Sequence, residues 1–290
     1  MKLEGTVIAA HGRHYLVELP DGGALSCFPR GKKSELACGD RVSIARSNES
    51  QGVIDAILPR SALLYRSNEF RQKLIAANVT RMILVVATAP PFSETLVTRC
   101  LIAAESQDID VLIVLNKCDL TGPLASAEAA LAPFSRLAYP ILRLSAHSDV
   151  DALRPHLAGQ TGVLVGQSGM GKSTLINALV PNANARTREI SEALDTGRHT
   201  TTHATLYRLS ENSSLIDSPG LQEFGLHHLA LRDIEYGFRE FRPLLGSCRF
   251  RDCRHDREPG CAIRDALEAG EIAPGRYAAF RALAGEARSD

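Results

Sequence analysis

The feature that most constrains the fold of this 290-residue chain is a glycine-rich segment between two apolar runs, GVLVGQSGMGKSTLINALV at 162–180. It contains the pattern G-x-x-x-x-G-K-S, from Gly166 to Ser173. Glycines let successive backbone N–H groups curl around phosphates, and the N-terminus of a following helix adds its positive dipole. A strand before the pattern and a helix after it are the context of a phosphate-binding loop, or P-loop. The sequence therefore predicts an α/β nucleotide-binding domain.

Two side chains of this P-loop have predicted roles of their own. Lys172 is expected to bring its charge to the β and γ phosphate oxygens, which makes it a candidate catalytic residue, and Ser173 to place its hydroxyl on Mg²⁺. The remaining contacts are expected from the loop backbone. The predicted phosphate-binding residues are Gly166, Gln167, Ser168, Gly169, Met170, Gly171, Lys172, Ser173 and Thr174.

A guanine-reading motif comes before the P-loop in the chain. The apolar run VLIVL ends in N-K-C-D, which is Asn116, Lys117, Cys118 and Asp119. The Asp119 carboxylate can accept hydrogen bonds from guanine N1–H and the exocyclic amine, whereas adenine presents an acceptor at the matching ring position. A site built on such pairing discriminates strongly. Lys117 is expected to pack its stem along the base, and Asn116 to tie this loop to the P-loop.

The next apolar run ends in Ser145 and Ala146, whose backbone is predicted to contact the base oxygen. Together with the P-loop, this places GTP rather than ATP in the site. Downstream, the predicted strand SSLI is followed by a D-x-x-G arrangement formed by Asp217 and Gly220. Asp217 is expected to hold magnesium through water, and the Gly220 N–H to sense the γ-phosphate.

A threonine-rich segment, RHTTT at 198–202, lies between these two motifs. Thr201 is the predicted magnesium ligand of this segment, with Thr200 as the alternative. Ras-like enzymes have a water-orienting glutamine just after D-x-x-G, where this chain has the apolar Leu221. Intrinsic turnover is therefore expected to be slow. His199 is the candidate that positions water, with Gln222 as a weaker alternative.

The first 60 residues contain five short apolar runs separated by turn signals, which favours a small β-barrel. An OB-fold is the first interpretation and an SH3-like barrel the second. After a basic connector, apolar strands alternate with helical stretches, as in a mostly parallel sheet covered by helices. The predicted domains are a barrel at 1–61, a nucleotide-binding domain at 62–225 and a mostly helical domain at 226–290.

A compact cysteine and histidine cluster lies in the last of these domains. Its spacing, C-x₄-C-x-H-x₅-C, involves Cys248, Cys253, His255 and Cys261. Three thiolates and one imidazole complete a tetrahedral zinc site and leave no position for water, so one structural zinc is predicted. Six arginines nearby form either an RNA-facing patch or a solvated helix face, namely Arg239, Arg242, Arg249, Arg251, Arg254 and Arg257.

The bulk composition excludes several classes of protein. The chain has 33 basic and 33 acidic residues, so no global field draws it to nucleic acid or membrane. No apolar run approaches the roughly 18 residues of a membrane span, and the N-terminus does not read as a signal peptide. Seven cysteines, an odd number, argue against a disulfide framework. A cytoplasmic protein without a membrane partner is expected.

The motif order, with the base reader and S-A before the P-loop, threonine segment and D-x-x-G, resembles that of circularly permuted GTPases. The segments GQSGMGKSTLINAL, GRHTTT and DSPG, with the flanking domains, resemble the ribosome small-subunit-dependent GTPase A (RsgA) family over essentially the whole chain. The zinc spacing also matches that family's pattern. The resemblance implies a GTPase that is stimulated by the small (30S) ribosomal subunit and acts in its late maturation, with 16S rRNA as a partner. A monomer is expected.

Two other functions remain open from the sequence. The chain could be chiefly an RNA-binding assembly factor in which GTP is only a timer and turnover is incidental. A metabolic P-loop ATPase is disfavoured by Asn116 and Asp119, which read guanine.

Overall fold

The computed structural model describes residues 2–31, 35–67, 72–181, 183, 204–218 and 224–287. Five N-terminal strands form a barrel: β1 (Lys2–His11), β2 (His14–Glu18), β3 (Ala24–Pro29), β4 (Arg41–Arg46) and β5 (Gln51–Ile57). Their order is β1-β2-β3-β5-β4, and β4 returns to pair with β1. Alternate residues of each strand point inward, among them Val7, Val17 and Ile44, which are fully buried. This confirms the OB-fold interpretation, because β3 and β5 pair in parallel as the last strand crosses back.

The central domain is built on six strands: β8 (Arg81–Ala87), β9 (Asp110–Asn116), β10 (Ile141–Arg143), β11 (Thr161–Val165), β12 (Thr205–Ser210) and β13 (Ser213–Asp217). Their order is β10-β9-β8-β11-β13-β12, and all neighbours are parallel except the antiparallel pair β12–β13. The near-continuous apolar sequences of β8, β9 and β11 follow from burial on both faces of the sheet.

Helices cover the two faces of this sheet. They are α1 (Glu94–Glu105), α2 (Thr121–Arg136), the single turn α3 (Arg154–Leu157), which continues a 3₁₀ turn at Val150–Leu153, and α4 (Lys172–Leu179). Residues of α1 and α2 share one apolar cluster with the C-terminal region, whereas α4 and α3 pack on the opposite face. Strands alternating with helices were predicted here, and the structure confirms this architecture. The strand predicted around residue 142 has only three residues.

The barrel and the central sheet are joined into one eleven-stranded sheet. The first half of β1 closes the barrel against β4, while Ala9, in its second half, pairs with Thr205 of β12. Arg208 of β12 and Glu18 of β2 form an ion pair at 2.6 Å across the same seam. Because β12 directly follows the threonine-rich segment in the chain, the barrel is attached to the strand next to that segment.

The predicted connector contains a hairpin, β6 (Leu63–Ser67) and β7 (Gln72–Ala77), which forms a separate two-stranded sheet. Arg60, just before it, donates to both oxygens of the buried Asp40 carboxylate. The basic connector is therefore partly an ordered element, which the sequence did not indicate.

The C-terminal region is mostly short helices, α5 (Leu231–Gly237), a 3₁₀ turn at Arg242–Leu244, α6 (Ala262–Glu268) and α7 (Pro274–Ala284). Its core is a set of aromatic rings, Phe238, Phe241 and Phe280, with centroids 5.0–5.7 Å apart. The predicted three-part fold is thus confirmed. Among the described residues, none of the helices is both long and apolar enough to cross a membrane.

The six-arginine patch is corrected by the structure. Arg239 and Arg242 are half-buried and bind the two oxygens of Glu105 in α1, at 2.7 and 2.5 Å. They join the C-terminal region to the central domain and do not face solvent as a pair. The arginines of the cysteine and histidine loop are exposed, namely Arg249, Arg251, Arg254 and Arg257.

Candidate nucleotide-binding and metal sites

The P-loop lies between the end of β11 and the start of α4, as the strand-to-helix context requires. Gly166, Gly169 and Gly171 have φ values of +154°, +82° and +92°, which favour glycine. A Cβ at Gly166 would lie 2.3 Å from the Val85 carbonyl oxygen, and one at Gly171 would lie 2.2 Å from Asn116 Nδ2. The glycines therefore serve both the backbone conformation and close approach to the neighbouring loops.

Lys172 is the first residue of α4, and its ammonium group lies within the curve of the P-loop. Nζ donates to the carbonyl oxygens of Gly166 and Gln167 at 2.7 and 2.8 Å. Burial lowers the pKa of Lys172, and the Asp217 charge partly offsets this. Burial also raises the pKa of Asp217 to about 6, against the opposing effect of Lys172. The two opposite charges are therefore close in a poorly solvated position.

Asn116 joins three segments of the site. Its side chain is buried, donates to the Met170 carbonyl oxygen at 2.9 Å and accepts the Ala146 N–H at 3.0 Å. The predicted tie between the guanine-reading motif and the P-loop is present in the structure, and it extends to the S-A segment. Ser145 is buried, and its N–H bonds the Asp149 carboxylate.

Lys117 has a φ of +60° and spans the top of the site. Its Nζ donates to the carbonyl oxygens of Gly169 at 2.7 Å and Ala89 at 2.8 Å. The side chain thus runs across the cleft between two loops, where its stem can pack along a base. Asp119 is exposed, so its carboxylate is open to a ligand, and Cys118 bonds the carbonyl oxygens of Leu115 and Leu144 through its thiol and its N–H.

The loop after β8 supplies contacts that the sequence did not predict. Thr88 donates to the Lys117 carbonyl oxygen at 2.8 Å, and the Ser93 N–H donates to the side-chain oxygen of Gln167 at 2.8 Å. These contacts to the N-K-C-D loop and to the P-loop form because β8 lies between β9 and β11 in the sheet. The ends of parallel strands converge at one edge, but the sequence does not reveal which strands are adjacent.

The predicted magnesium ligands are partly within the described residues. Ser173 is exposed in the first turn of α4, and Asp217 ends β13 beside β11, where it pairs in register with Leu164. Ser218 donates to the Leu164 carbonyl oxygen at 2.6 Å, which fixes the start of the D-x-x-G segment. The predicted residues that lie outside the described ranges are His199, Thr200, Thr201, Gly220, Leu221 and Gln222.

The cysteine and histidine cluster converges in space. One ligand atom from each of Cys248, Cys253, His255 and Cys261 lies within 4.8 Å of the others. His255 Nδ1 is 3.5 Å from Cys248 Sγ and 3.3 Å from Cys261 Sγ. Ligand atoms around a tetrahedral zinc are separated by about 3.5–3.8 Å, given bonds of about 2.0–2.3 Å. The donor set and its spacing therefore fit zinc.

Glu235 of α5 is a further member of this cluster. One of its carboxylate oxygens is 3.3 Å from His255 Nε2, on the opposite side of the ring from the cysteines. A carboxylate in this position fixes the tautomer that leaves Nδ1 free to bind a metal. Burial raises the pKa of Cys253 to about 12, so a bound cation is what would favour its thiolate. Glu235 is 13 residues before the first cysteine, and no local pattern identified it.

The chain is similar to known proteins over almost its whole length. The RsgA GTPase family model matches residues 57–227. A small ribosomal subunit biogenesis GTPase RsgA from Nitrosospira multiformis is 56% identical over 97% of this chain and 90% of its own length. One of the same description from Burkholderia pseudomallei is 54% identical over 99% of this chain and 93% of its own.

Two solved structures resemble the fold. YjeQ from Thermotoga maritima has a TM-score of 0.75 and 29% identity, and the match covers 99% of this chain and 98% of that one. YloQ, described as a circularly permuted GTPase, has a TM-score of 0.71 and 26% identity, covering 99% and 95%. Barrel, nucleotide domain and C-terminal region all fall within these matches. On the family model and the relatives, this chain belongs to the RsgA GTPase family.

Proposed function

We propose that this protein binds GTP, hydrolyses it to GDP and phosphate, and acts on the small (30S) ribosomal subunit during its late maturation. The observation that carries the proposal is the Asn116 side chain, which joins the guanine-reading loop, the P-loop and the S-A segment by direct hydrogen bonds. That geometry supports a base reader beside a phosphate cradle, in a chain of the RsgA GTPase family. The activity belongs in the cytoplasm, where small subunits are assembled.

Guanine specificity is assigned to Asp119, whose exposed carboxylate can accept from both N1–H and the exocyclic amine. Replacement by Asn exchanges one acceptor for an amide donor, which matches xanthine, since xanthine has a carbonyl oxygen where guanine has the amine. Asp119→Asn should therefore lose affinity for GDP and gain affinity for xanthosine diphosphate. Equal affinity of the wild-type protein for ATP and GTP would contradict the assignment.

Magnesium is expected to bind with the nucleotide. Ser173 and Thr201 would contribute hydroxyl oxygens, and Asp217 would act through water. A divalent cation here would favour the ionised form of Asp217, which burial alone disfavours. Lys172 would neutralise charge that develops on the β and γ phosphates.

Hydrolysis is expected to be slow without the ribosomal subunit, because Leu221 stands where a water-orienting side chain is usual. We assign the positioning of water to His199. His199→Ala should abolish stimulated turnover and leave GTP affinity almost unchanged. Unchanged stimulated kcat in that variant would remove His199 from the mechanism.

The C-terminal region is proposed to hold one structural zinc ion through Cys248, Cys253, His255 and Cys261. Zinc would supply a fixed tetrahedral cross-link. The loop that carries the ligands is also held by Glu258, whose carboxylate accepts the N–H groups of Arg254 and Asp256. The exposed arginines of this loop, with the barrel, are the surfaces that we propose contact 16S rRNA.

We propose that the domain boundaries are 1–61, 62–225 and 226–290, and that the protein is a monomer.

The decisive experiment measures the rate of GTP hydrolysis with and without purified small subunits. Stimulation by orders of magnitude is expected of a subunit-dependent GTPase. If the protein binds small subunits but its turnover does not change, the alternative applies, in which it is an RNA-binding assembly factor and GTP is only a timer.

A further inference from the structure

Helix α1 connects the P-loop to the C-terminal region, through a backbone N–H at its N-terminal cap and through side chains along its length. At its N-terminus, the Ser93 N–H donates to Gln167 of the P-loop at 2.8 Å, while the Ser93 hydroxyl caps the helix by accepting from the Leu96 N–H. One residue therefore bonds the nucleotide loop through its backbone and the helix through its side chain. The acceptor that the P-loop supplies in this contact is the side-chain oxygen of Gln167.

The C-terminal region packs against the middle and C-terminal turns of α1. Thr98, Ile102 and Glu105 lie at spacings of four and three residues, so they share one face of the helix. Thr98 accepts from Arg276 of α7 at 2.9 Å, and Ile102 lies so close to Gly237 that a Cβ there would be 2.8 Å from its Cγ2. Three segments of the C-terminal region thus meet α1 within a few turns.

The ion pairs at and beside this surface are shielded from solvent on at least one side. Arg276, which bonds Thr98 of α1, is 7% exposed and is held within the C-terminal region by Glu240 at 2.6 Å, and the Glu105 carboxylate is 11% exposed. Arg99 binds Glu286, beyond α7, through two nitrogens. Buried charges that are held on both sides make a stiff connection, because separating them leaves unpaired charge in a poorly solvated place. Displacement of α1 therefore requires displacement of the C-terminal helices.

We propose that Gln167 is a positioning residue, and that its bond to Ser93 lets nucleotide on the P-loop order α1 and, through α1, helix α7 of the C-terminal region. This inference rests on the proposed nucleotide binding. It goes beyond that proposal because it names the contacts by which nucleotide bound at the P-loop affects the C-terminal region. The route does not pass through the D-x-x-G segment, which precedes the C-terminal region in the chain.

The test is amide hydrogen exchange of the full-length, zinc-loaded protein with and without Mg²⁺ and GDP. In the wild type, saturating GDP should slow exchange in 94–105 and in 274–284 by about fivefold or more, the lower end of ordinary coupling between sites. Gln167→Met keeps the shape of the side chain and removes the acceptor. The affinity of this variant for GDP is measured first, and at a concentration that saturates it, α4 should be protected while α1 and α7 are not.

A matched pair at Ser93 isolates the hydrogen bond from the helix cap. Ser93→Ala and Ser93→Pro both lose the capping hydroxyl, but only proline also lacks the N–H, and the φ of −86° at this position is near the value that proline needs. The alanine variant should keep GDP-induced protection of α7, and the proline variant should lose it. This pair decides the question if Gln167→Met folds poorly.

Arg99→Met interrupts the proposed route between α1 and the C-terminal region, because it removes the contact with Glu286 and leaves the P-loop unchanged. It should keep GDP-induced protection in α1 and reduce it in α7. Wild-type protection of α7 in both Gln167→Met and Ser93→Pro would overturn the inference. Failure of the wild type to bind GDP would overturn the proposed function and this inference together, whereas GDP binding without protection of α7 would overturn this inference alone.

Discussion

At the scale of single residues, the nucleotide-binding site depends on glycines, whose lack of a side chain allows neighbouring loops to approach closely. Gly166 and Gly171 bring the P-loop backbone against Val85 and Asn116, at distances that exclude a Cβ. These positions could be read from the sequence, because the P-loop pattern itself specifies them. Glu235 and Ser93 could not, because their partners come from other segments and no spacing rule relates them.

Gly171→Ala should weaken GDP binding and lower thermal stability. The added Cβ would meet Asn116 Nδ2 at 2.2 Å, and a φ of +92° is unfavourable for alanine by roughly 1–2 kcal/mol. Calorimetric titration with GDP and thermal unfolding measure the two effects. Gly122→Ala in α2, where a Cβ would have open space, is the control and should leave both unchanged or raise stability slightly. A fully active Gly171→Ala protein would contradict the described loop geometry.

Glu235→Gln should weaken metal binding without removing any ligand. The neutral amide holds the His255 ring less well, and loss of such a partner typically costs about 10–100-fold in metal affinity. Competition with a zinc-binding chelator, followed by measurement of retained zinc, tests this. Glu268→Gln, on an exposed part of α6, should match the wild type. Equal zinc retention by all three proteins would show that Glu235 does not support the site.

At the scale of elements, apolar periodicity predicted the barrel strands and the alternating strands and helices of the central domain. It did not predict the β6–β7 hairpin, whose basic sequence resembles a linker, nor the mounting of the C-terminal helices on α1. Those contacts depend on charged side chains such as Glu105, Arg239 and Arg242, which in the sequence are indistinguishable from surface residues. Only the packing of the elements shows that they are partly buried and paired.

The Glu105 cluster should make stability depend on pH. Burial opposes ionisation of Glu105, but hydrogen bonds from Arg242, Tyr139 and Arg239 together lower its pKa below the ordinary 4.5. Its contribution is therefore complete above pH 4.5 and is lost as the pH falls through the lowered pKa of the folded state. Glu105→Gln should destabilise the protein by about 2 kcal/mol near neutral pH, with a smaller difference in acid.

Urea unfolding of the wild type and Glu105→Gln at several pH values measures this dependence. Glu94→Gln, at the exposed start of the same helix, is the control for loss of a carboxylate. A stability difference that stays constant from neutral pH into the acid range would show that the ionised carboxylate is not the stabilising form.

At the scale of the whole molecule, the barrel and the nucleotide-binding domain share one sheet. The sequence predicted two domains here, because a change of pattern near residue 62 looks like a boundary. It could not show that β1 pairs with β12, since that pairing joins residues 9 and 205. Ala77 and Asn78 also cross this junction, since the Ala77 N–H donates to the Cys38 carbonyl oxygen at 2.8 Å and the Asn78 amide to that of Gly39 at 2.9 Å.

Thermal unfolding should therefore show the barrel and the central domain melting in a single transition. Scanning calorimetry combined with a probe on each part checks this, and separate melting of the barrel would contradict it. The ion pair of Glu18 and Arg208 should contribute less than about 1 kcal/mol in a double-mutant cycle, because both side chains are partly exposed. The backbone pairing and buried contacts, rather than this surface pair, should account for the shared transition.

The divided use of β1 has a consequence for biosynthesis. Its first half pairs with β4 and its second half with β2, so every strand that closes the barrel is translated within the first 57 residues. The remaining edge of β1, at Ala9, can pair with β12 only after β12 has been translated. The barrel can therefore fold early on the emerging nascent chain, with part of one edge left to template the last strands of the nucleotide-binding sheet.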